Sequence, residues 1–171
     1  MSEFTLEPLY DYPQREQVLA LARTNAEAVD RGERSPFETL REIAKDGLIT
    51  LGRDGGSLVP QVAVAFDLAT EDATTAFSLW AHRSTIAFFD AVGRELPEGL
   101  ANATVSGTTA MAAAYKEASG LEPIKVKGTL VEGGLKLNGS ISWASNLYPS
   151  GVIVLPVALE NAPEGHPDRY I

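Results

Sequence analysis

The chain has 171 residues, of which 44% are hydrophobic and 22% charged; this suits one globular domain, or one with a partial second, and excludes intrinsic disorder. Lys and Arg number 14 against 23 Asp and Glu, and the net charge of −9 repels phosphate backbones and anionic bilayers, so neither nucleic acid nor a membrane is expected as a partner. Cysteine is absent, which removes disulfides, thiolate metal sites, iron–sulfur clusters and cysteine nucleophiles.

Met1-Ser2-Glu3-Phe4 is acidic and lacks an apolar signal core. No stretch approaches the roughly 20 apolar residues of a membrane span. A cytoplasmic location is therefore expected.

The first helix is expected from about Pro13 to Arg31. Val18, Ala22, Ala26 and Val29 form its apolar stripe, and Gly32 marks its stop. Ser35-Pro36-Phe37-Glu38 reads as a capping box opening a second helix, with Phe37, Leu40, Ala44 and Leu48 inward and Gly47 as punctuation. Arg53-Asp54-Gly55-Gly56-Ser57 is a turn. A third helix follows from about Val59 to Ala69, with Val62, Ala65, Phe66 and Ala69 inward. Asp72 caps a fourth, whose Phe77, Trp80, Ile86, Phe88, Phe89 and Val92 are apolar on more than one side. That helix belongs at the centre of a bundle, with a break near His82-Arg83-Ser84.

Leu96-Pro97-Glu98-Gly99 is the boundary between an all-helical domain over 1–100 and a partial antiparallel β domain over 101–171. Ile124, Val126 and Leu130 alternate with polar residues as a half-buried strand. Glu132-Gly133-Gly134 turns the chain. Leu135, Leu137, Ile141 and Trp143 share one face of a second strand, and Val152 to Leu159 is a third. The fold class is thus α+β: a helical bundle, then an incomplete, barrel-like antiparallel segment with unpaired edges and an uncovered face.

Few residues carry chemical signals. His82 and His166 lie too far apart for a metal spacing, and His82 suits a bundle position beside the helix break. Neither a nucleophile elbow nor a phosphate loop is present. Ser106-Gly107-Thr108-Thr109 reads either as backbone amides offered to an anion or as a plain connector. Glu71-Asp72, Glu117 and Glu122 read as solvated surface.

Leu137-Asn138-Gly139-Ser140-Ile141-Ser142-Trp143-Ala144-Ser145-Asn146 says more. Trp143 offers a flat apolar face and Ser145 a donor and acceptor, though the residues alone favour a core Trp followed by a turn Ser-Asn. This segment resembles the "nG-x-K-x-W-I-T-N" strand of the acyl-CoA dehydrogenase family. Leu40 to Leu48 is similar to that family's "lre-la-e-Gl" helix, and Gly55-Gly56, the helix from Val59 and the Phe77–Phe89 run follow in the same order.

The resemblance covers about Ser35 to Leu159. It implies an N-terminal helical domain, a middle β domain and FAD (or FMN) as cofactor, with the isoalloxazine against Trp143, Ala144 and Ser145. Met111, Ala112, Ala113 and Ser119 complete the implied contacts. The family's "T-E-P-x-A-G-S-D" strand is replaced by Ala113-Ala114-Tyr115-Lys116-Glu117-Ala118-Ser119-Gly120, which keeps one hydroxyl, at Ser119. The family's C-terminal four-helix bundle, source of its catalytic carboxylate, has no counterpart here, and no glutamate is assigned as the base.

The resemblance therefore implies the N-terminal portion of a flavin-dependent oxidoreductase that desaturates an acyl thioester. A flavin-dependent monooxygenase-like member is one alternative. A second is a non-catalytic scaffold or partner subunit that retains the fold, and a third is an unrelated acidic binding module. Expected partners are acyl-CoA or another small molecule, and further subunits in a homo- or hetero-oligomer.

Overall fold

The computed structural model describes residues 10–53 and 55–171, so the expectation for Met1–Phe4 and the place of Asp54 in its turn lie outside the described residues. Among these the order is α1 (Arg15–Asp30), α2 (Pro36–Ala44), α3 (Val59–Glu71), α4 (Ala73–Ala91), β1 (Gly107–Thr109), α5 (Ala112–Ala118), β2 (Lys127–Val131), β3 (Gly134–Asn138), β4 (Val152–Val154), β5 (Val157–Leu159) and β6 (Arg169–Tyr170). The class is α+β. No described helix is long and apolar enough to cross a membrane.

The helix starts follow local chemistry. Ser35 Oγ accepts from the Phe37 amide at 3.2 Å, with Pro36 at the first helical position, where its missing N–H costs nothing. The expected reciprocal half of the capping box is not formed, because the Glu38 carboxylate accepts instead from Arg34 at 2.8 Å. Asp72 caps α4 through Thr75, whose amide donates at 3.0 Å.

α4 packs against α1, α2, α3, β1 and β4, the central place expected of it, but not through the apolar residues that suggested it. Phe77, Trp80 and Val92 are more than half exposed, and of the six only Ile86 is among the buried residues, beside Leu79, Ala81, His82 and Thr85. It runs unbroken through His82-Arg83-Ser84, contrary to the expected break. His82 and Arg83 are held in the helix by partners on other segments. The inward face of α3 also differs from expectation. Ala63, Val64, Asp67 and Leu68 are buried, whereas Val62 and Ala69 are exposed. The cause is Asp67, which faces α1: it accepts from Tyr12 Oη at 3.0 Å and from Arg15 Nε at 3.1 Å and Nη2 at 3.3 Å. A charged residue at the centre of the buried stripe hides that stripe from a hydrophobicity count. On α1, Asn25 likewise takes the place expected for Ala26, donating to Thr39 Oγ1 at 2.9 Å.

The β part corrects the antiparallel, barrel-like expectation. Two small sheets form and neither closes. β1 and β4 pair in parallel, and the second sheet runs β3-β2-β5-β6, with β2–β5 parallel and the other two pairs antiparallel. The expected strand Val152–Leu159 is divided at Leu155-Pro156. Proline has no amide to give a ladder, so the chain leaves one sheet there and enters the other. The second strand ends at Asn138, not at Trp143. Gly139 has φ +143°, and a Cβ there would sit 2.5 Å from the Lys125 carbonyl oxygen, so the chain turns out of the ladder and leaves Ile141 and Trp143 in an irregular segment.

The hydrophobic core passes the expected boundary at 96–99, since Leu100 and Ala103 are fully buried among Leu40, Ile49, Leu79 and Ile86. Gly107 lies tight at this seam. An added Cβ would approach Thr85 Cβ to 2.8 Å and the His82 carbonyl oxygen to 3.0 Å. Gly107→Ala is expected to destabilise by about 1–3 kcal/mol through overpacking, read as a lowered midpoint in thermal unfolding.

Candidate functional site

The residues named from the sequence converge on the seam between α4 and the β part. α4 presents Trp80, Ser84 and Phe88 at i, i+4 and i+8, one row along the helix. Thr109 to Ala112 supplies the floor as β1 gives way to α5, and Tyr115 stands one turn further on. Trp143 and Ser145 close the other side. Together they enclose a cleft of about 230 Å³.

Trp143 is 62% exposed, so its indole face is a surface and not part of the core. It also separates this cleft from a neighbouring one of about 40 Å³, which Ala112, Ala113, Lys116, Glu122, Lys125, Ser140 and Ser142 line on its other side.

Of the seven residues nominated, Met111, Ala112, Trp143 and Ser145 line the larger cleft, and Ala113 lines the smaller one. Ala144 is half-buried between its neighbours and lines neither. Ser119 is not brought to the site. It follows the last turn of α5, where its amide donates to the Tyr115 carbonyl at 3.0 Å and its side chain faces outward. α5 replaces the strand that the family signature would place there, and this moves Ser119 away.

Sequence reasoning missed Trp80, Ser84, Phe88 and Tyr115 as lining residues. The i, i+4, i+8 row was available, but the surrounding run of apolar residues conceals which of them face a cleft.

The segment carrying Trp143 is anchored at one end. Asn146 adopts φ 63°, a conformation asparagine tolerates better than most residues, and its side-chain amide donates to the carbonyls of Ser78 at 2.8 Å and Gly107 at 3.2 Å. Thr108 Oγ1 returns a bond to the Asn146 carbonyl at 2.7 Å. Asn146 therefore ties the motif to α4 and β1 together.

Behind the cleft, on roughly the opposite side of α4, His82 is fully buried. The Gly107 amide can only donate, and it points to Nδ1 at 2.8 Å. Nδ1 is then the acceptor, and the proton sits on Nε2, which donates to the Leu100 carbonyl at 2.8 Å. Burial, followed by the Arg83 charge, holds the His82 pKa below its usual 6.5 against the opposing pull of the Leu100 carbonyl. The Gly107 amide is thus spent on His82, and residues 106–109 act as a connector and strand and offer no anion cradle at that amide.

The carboxylates expected as solvated surface are structural ties. Glu117 accepts from Arg169 Nε at 2.7 Å and from the Ile124 amide at 3.0 Å, and Glu122 holds Lys116 at 3.1 Å and Lys125 at 2.5 Å.

The cleft fits a planar ring better than a whole dinucleotide. Indole, thioether and phenyl surfaces suit one ring face, and Ser84 and Ser145 offer hydroxyls at its edge. Its volume is below the roughly 300–1,000 Å³ of pockets that enclose drug-sized ligands. No lysine or arginine lines it, and Lys116 and Lys125 next door are engaged with Glu122. The residues present fit an isoalloxazine and leave the phosphates of such a cofactor without a named partner. No family model and no curated protein sequence matches the chain.

Proposed function

We propose that the chain is a flavin-binding oxidoreductase scaffold of the acyl-CoA dehydrogenase type, with the isoalloxazine lying on Trp143 in the α4–β seam. The observation that supports this reading is the convergence of Trp143, Ser145, Met111 and Ala112, chosen from the sequence for that role, on one cleft whose far wall is the row Trp80, Ser84 and Phe88. Trp143 stacks on the ring, Met111 packs against it, and the Ser145 hydroxyl hydrogen-bonds its polar edge. A bound flavin supplies hydride acceptance. The chain's contribution is to orient the ring and keep one face dry. Acyl thioester desaturation is the reaction the resemblance favours, with monooxygenase-like chemistry as the alternative on the same scaffold.

Trp80 and Trp143 are the two tryptophans of the chain, and both line the cleft. Titration with FAD or FMN is expected to quench intrinsic fluorescence saturably. Trp143→Ala should weaken binding by about tenfold or more, in line with the 1–3 kcal/mol typical of stacking a heteroaromatic ring on an aromatic side chain. Absence of saturable quenching, or an unchanged affinity in Trp143→Ala, overturns the reading.

The scaffold reading also has a specific observation behind it. β3 is an edge strand with every residue exposed; its Leu135 and Leu137, with Leu130 and Val131 of the adjoining β2, present exposed apolar side chains. A colourless protein that forms a defined complex with a flavin-bearing chain, and is released from it by charged substitutions at Leu135 and Leu137, would favour that alternative.

A further inference from the structure

We propose that the groove between α3 and α4, away from the seam, binds a small amphiphile with an apolar chain and a carboxylate head, received by Arg83. The groove holds about 690 Å³, three times the volume of the seam cleft and within the range of small-molecule sites. Leu58, Val62 and Ala65 form one wall; Trp80, Ala87 and Ala91 form the other. Leu58, Val62 and Trp80 are more than half exposed, so the walls are open to a ligand.

What singles this groove out from an ordinary apolar surface is the group at its base. Arg83 is 9% exposed. Its Nη1 donates to the carbonyls of Leu48 and Ile49, and its Nη2 to that of Leu51. All of these acceptors are neutral. Its Nε–H has no acceptor at all. Among the described residues no carboxylate comes within 4 Å of it; the nearby Asp90 is engaged with Arg53 at 2.7 Å.

A buried cation without a counter-charge is costly, and the chain carries an excess of acidic residues that could have supplied one. Burial pushes the Arg83 pKa down to about 10, so the group remains a cation at neutral pH. The Nε–H is itself sealed from solvent, so it is the uncompensated guanidinium charge at the base of the groove that suits a carboxylate, while the walls above it suit a hydrocarbon tail. The occupant these features select together is a fatty-acid-like molecule. The inference stands independently of the flavin reading, because the two clefts share only Trp80 and Ser84, and neither Trp143 nor Arg83 belongs to both.

The test is titration of the full chain with decanoate, methyl decanoate and decanol, below their aggregation limits, by calorimetry. Trp80 fluorescence in a Trp143→Phe background provides a second readout. Decanoate is expected to bind saturably and at least tenfold more tightly than either neutral analogue. Ala87→Phe fills the groove from an exposed helix position and should abolish binding while leaving the circular dichroism spectrum and melting temperature unchanged. Trp143→Ala should leave decanoate binding unchanged.

Equal affinity for acid and ester, retention of binding in Ala87→Phe, or no saturable binding overturns the proposal. So does self-association that Ala87→Phe abolishes and decanoate does not compete with, since a second copy would then be the occupant. Because Arg83 also holds residues 48–51, its own replacement is not used as the deciding variant.

Discussion

His82→Leu is expected to destabilise the protein by about 2–5 kcal/mol, measured by denaturant unfolding at pH 7.5. Leucine fills similar space, but it leaves the Gly107 amide buried without a partner, at about 1–3 kcal/mol, and reduces the Leu100 carbonyl to its long 3.3 Å bond from the Ala103 amide. These two groups join α4 to the segment that enters β1, so the loss falls on the seam that also shapes the cleft.

The pH dependence gives an independent check. The folded state holds His82 neutral, with a pKa below the 6.5 of the unfolded chain. The stabilisation is therefore complete above about pH 6.5 and is lost as pH falls through the folded value, by up to about 1.4 kcal/mol per pH unit. Protonation would place a hydrogen on Nδ1 against the Gly107 N–H, two donors facing each other. The wild-type protein should lose stability on going from pH 7 to 5 more steeply than His82→Leu. Parallel pH profiles for the two would show that His82 is not the titrating group.

The second large effect is expected at Asp67. Asp67→Ala should cost about 2–4 kcal/mol, because it removes a buried carboxylate that accepts from both Tyr12 and Arg15. Arg15 is partly exposed and regains water, which keeps the loss below that of a fully buried pair. Tyr12 is 6% exposed, so its hydroxyl is left dry. Asp67→Asn keeps one acceptor and should recover part of the loss.

Burial, and then the Asp67 charge, raises the Tyr12 pKa above its usual 10. That contribution is full below pH 10 and declines as pH rises through the folded value. Combined with His82, this predicts a stability plateau from about pH 6.5 to 10 with an acid limb and an alkaline limb of separate origin. Asp67→Asn should flatten the alkaline limb and leave the acid limb unchanged.

These two residues also show what the sequence conceals. The α1–α4 order and the Ser35 and Asp72 caps were legible, because capping chemistry and helical periodicity are local signals; the buried face of α4 was not, since Phe77, Trp80 and Val92 are exposed while His82, Arg83 and Thr85 are buried. The inward face of α3 was not, because its central residue is an aspartate whose justification lies 52 and 55 residues away, at Arg15 and Tyr12. The unbroken course of α4 through His82 and Arg83 depends on acceptors at Leu100 and at 48–51, which no helical periodicity reports. In the β part, alternation located the strands but could not assign them to sheets. Pro156 was the available sign that Val152–Leu159 serves two ladders. Trp143 and Ser145 were legible as a motif. Their partners across the cleft were not, since Trp80 and Phe88 resemble core until the β part is placed against α4.

The manner in which Asn146 is fixed has a mechanical consequence. One wall of the seam cleft belongs to a nineteen-residue helix at the centre of the protein, so Trp80, Ser84 and Phe88 are set before any ligand arrives. The opposite wall hangs between the end of β3 and a single amide clamp, with the indole near the middle of that span. Amide hydrogens of 139–145 should accordingly exchange far sooner than those of α4. The free energy of quieting that short tether then enters the affinity of whatever the indole covers, and an adjustment at Asn146 would retune ligand binding without touching either face of the cleft.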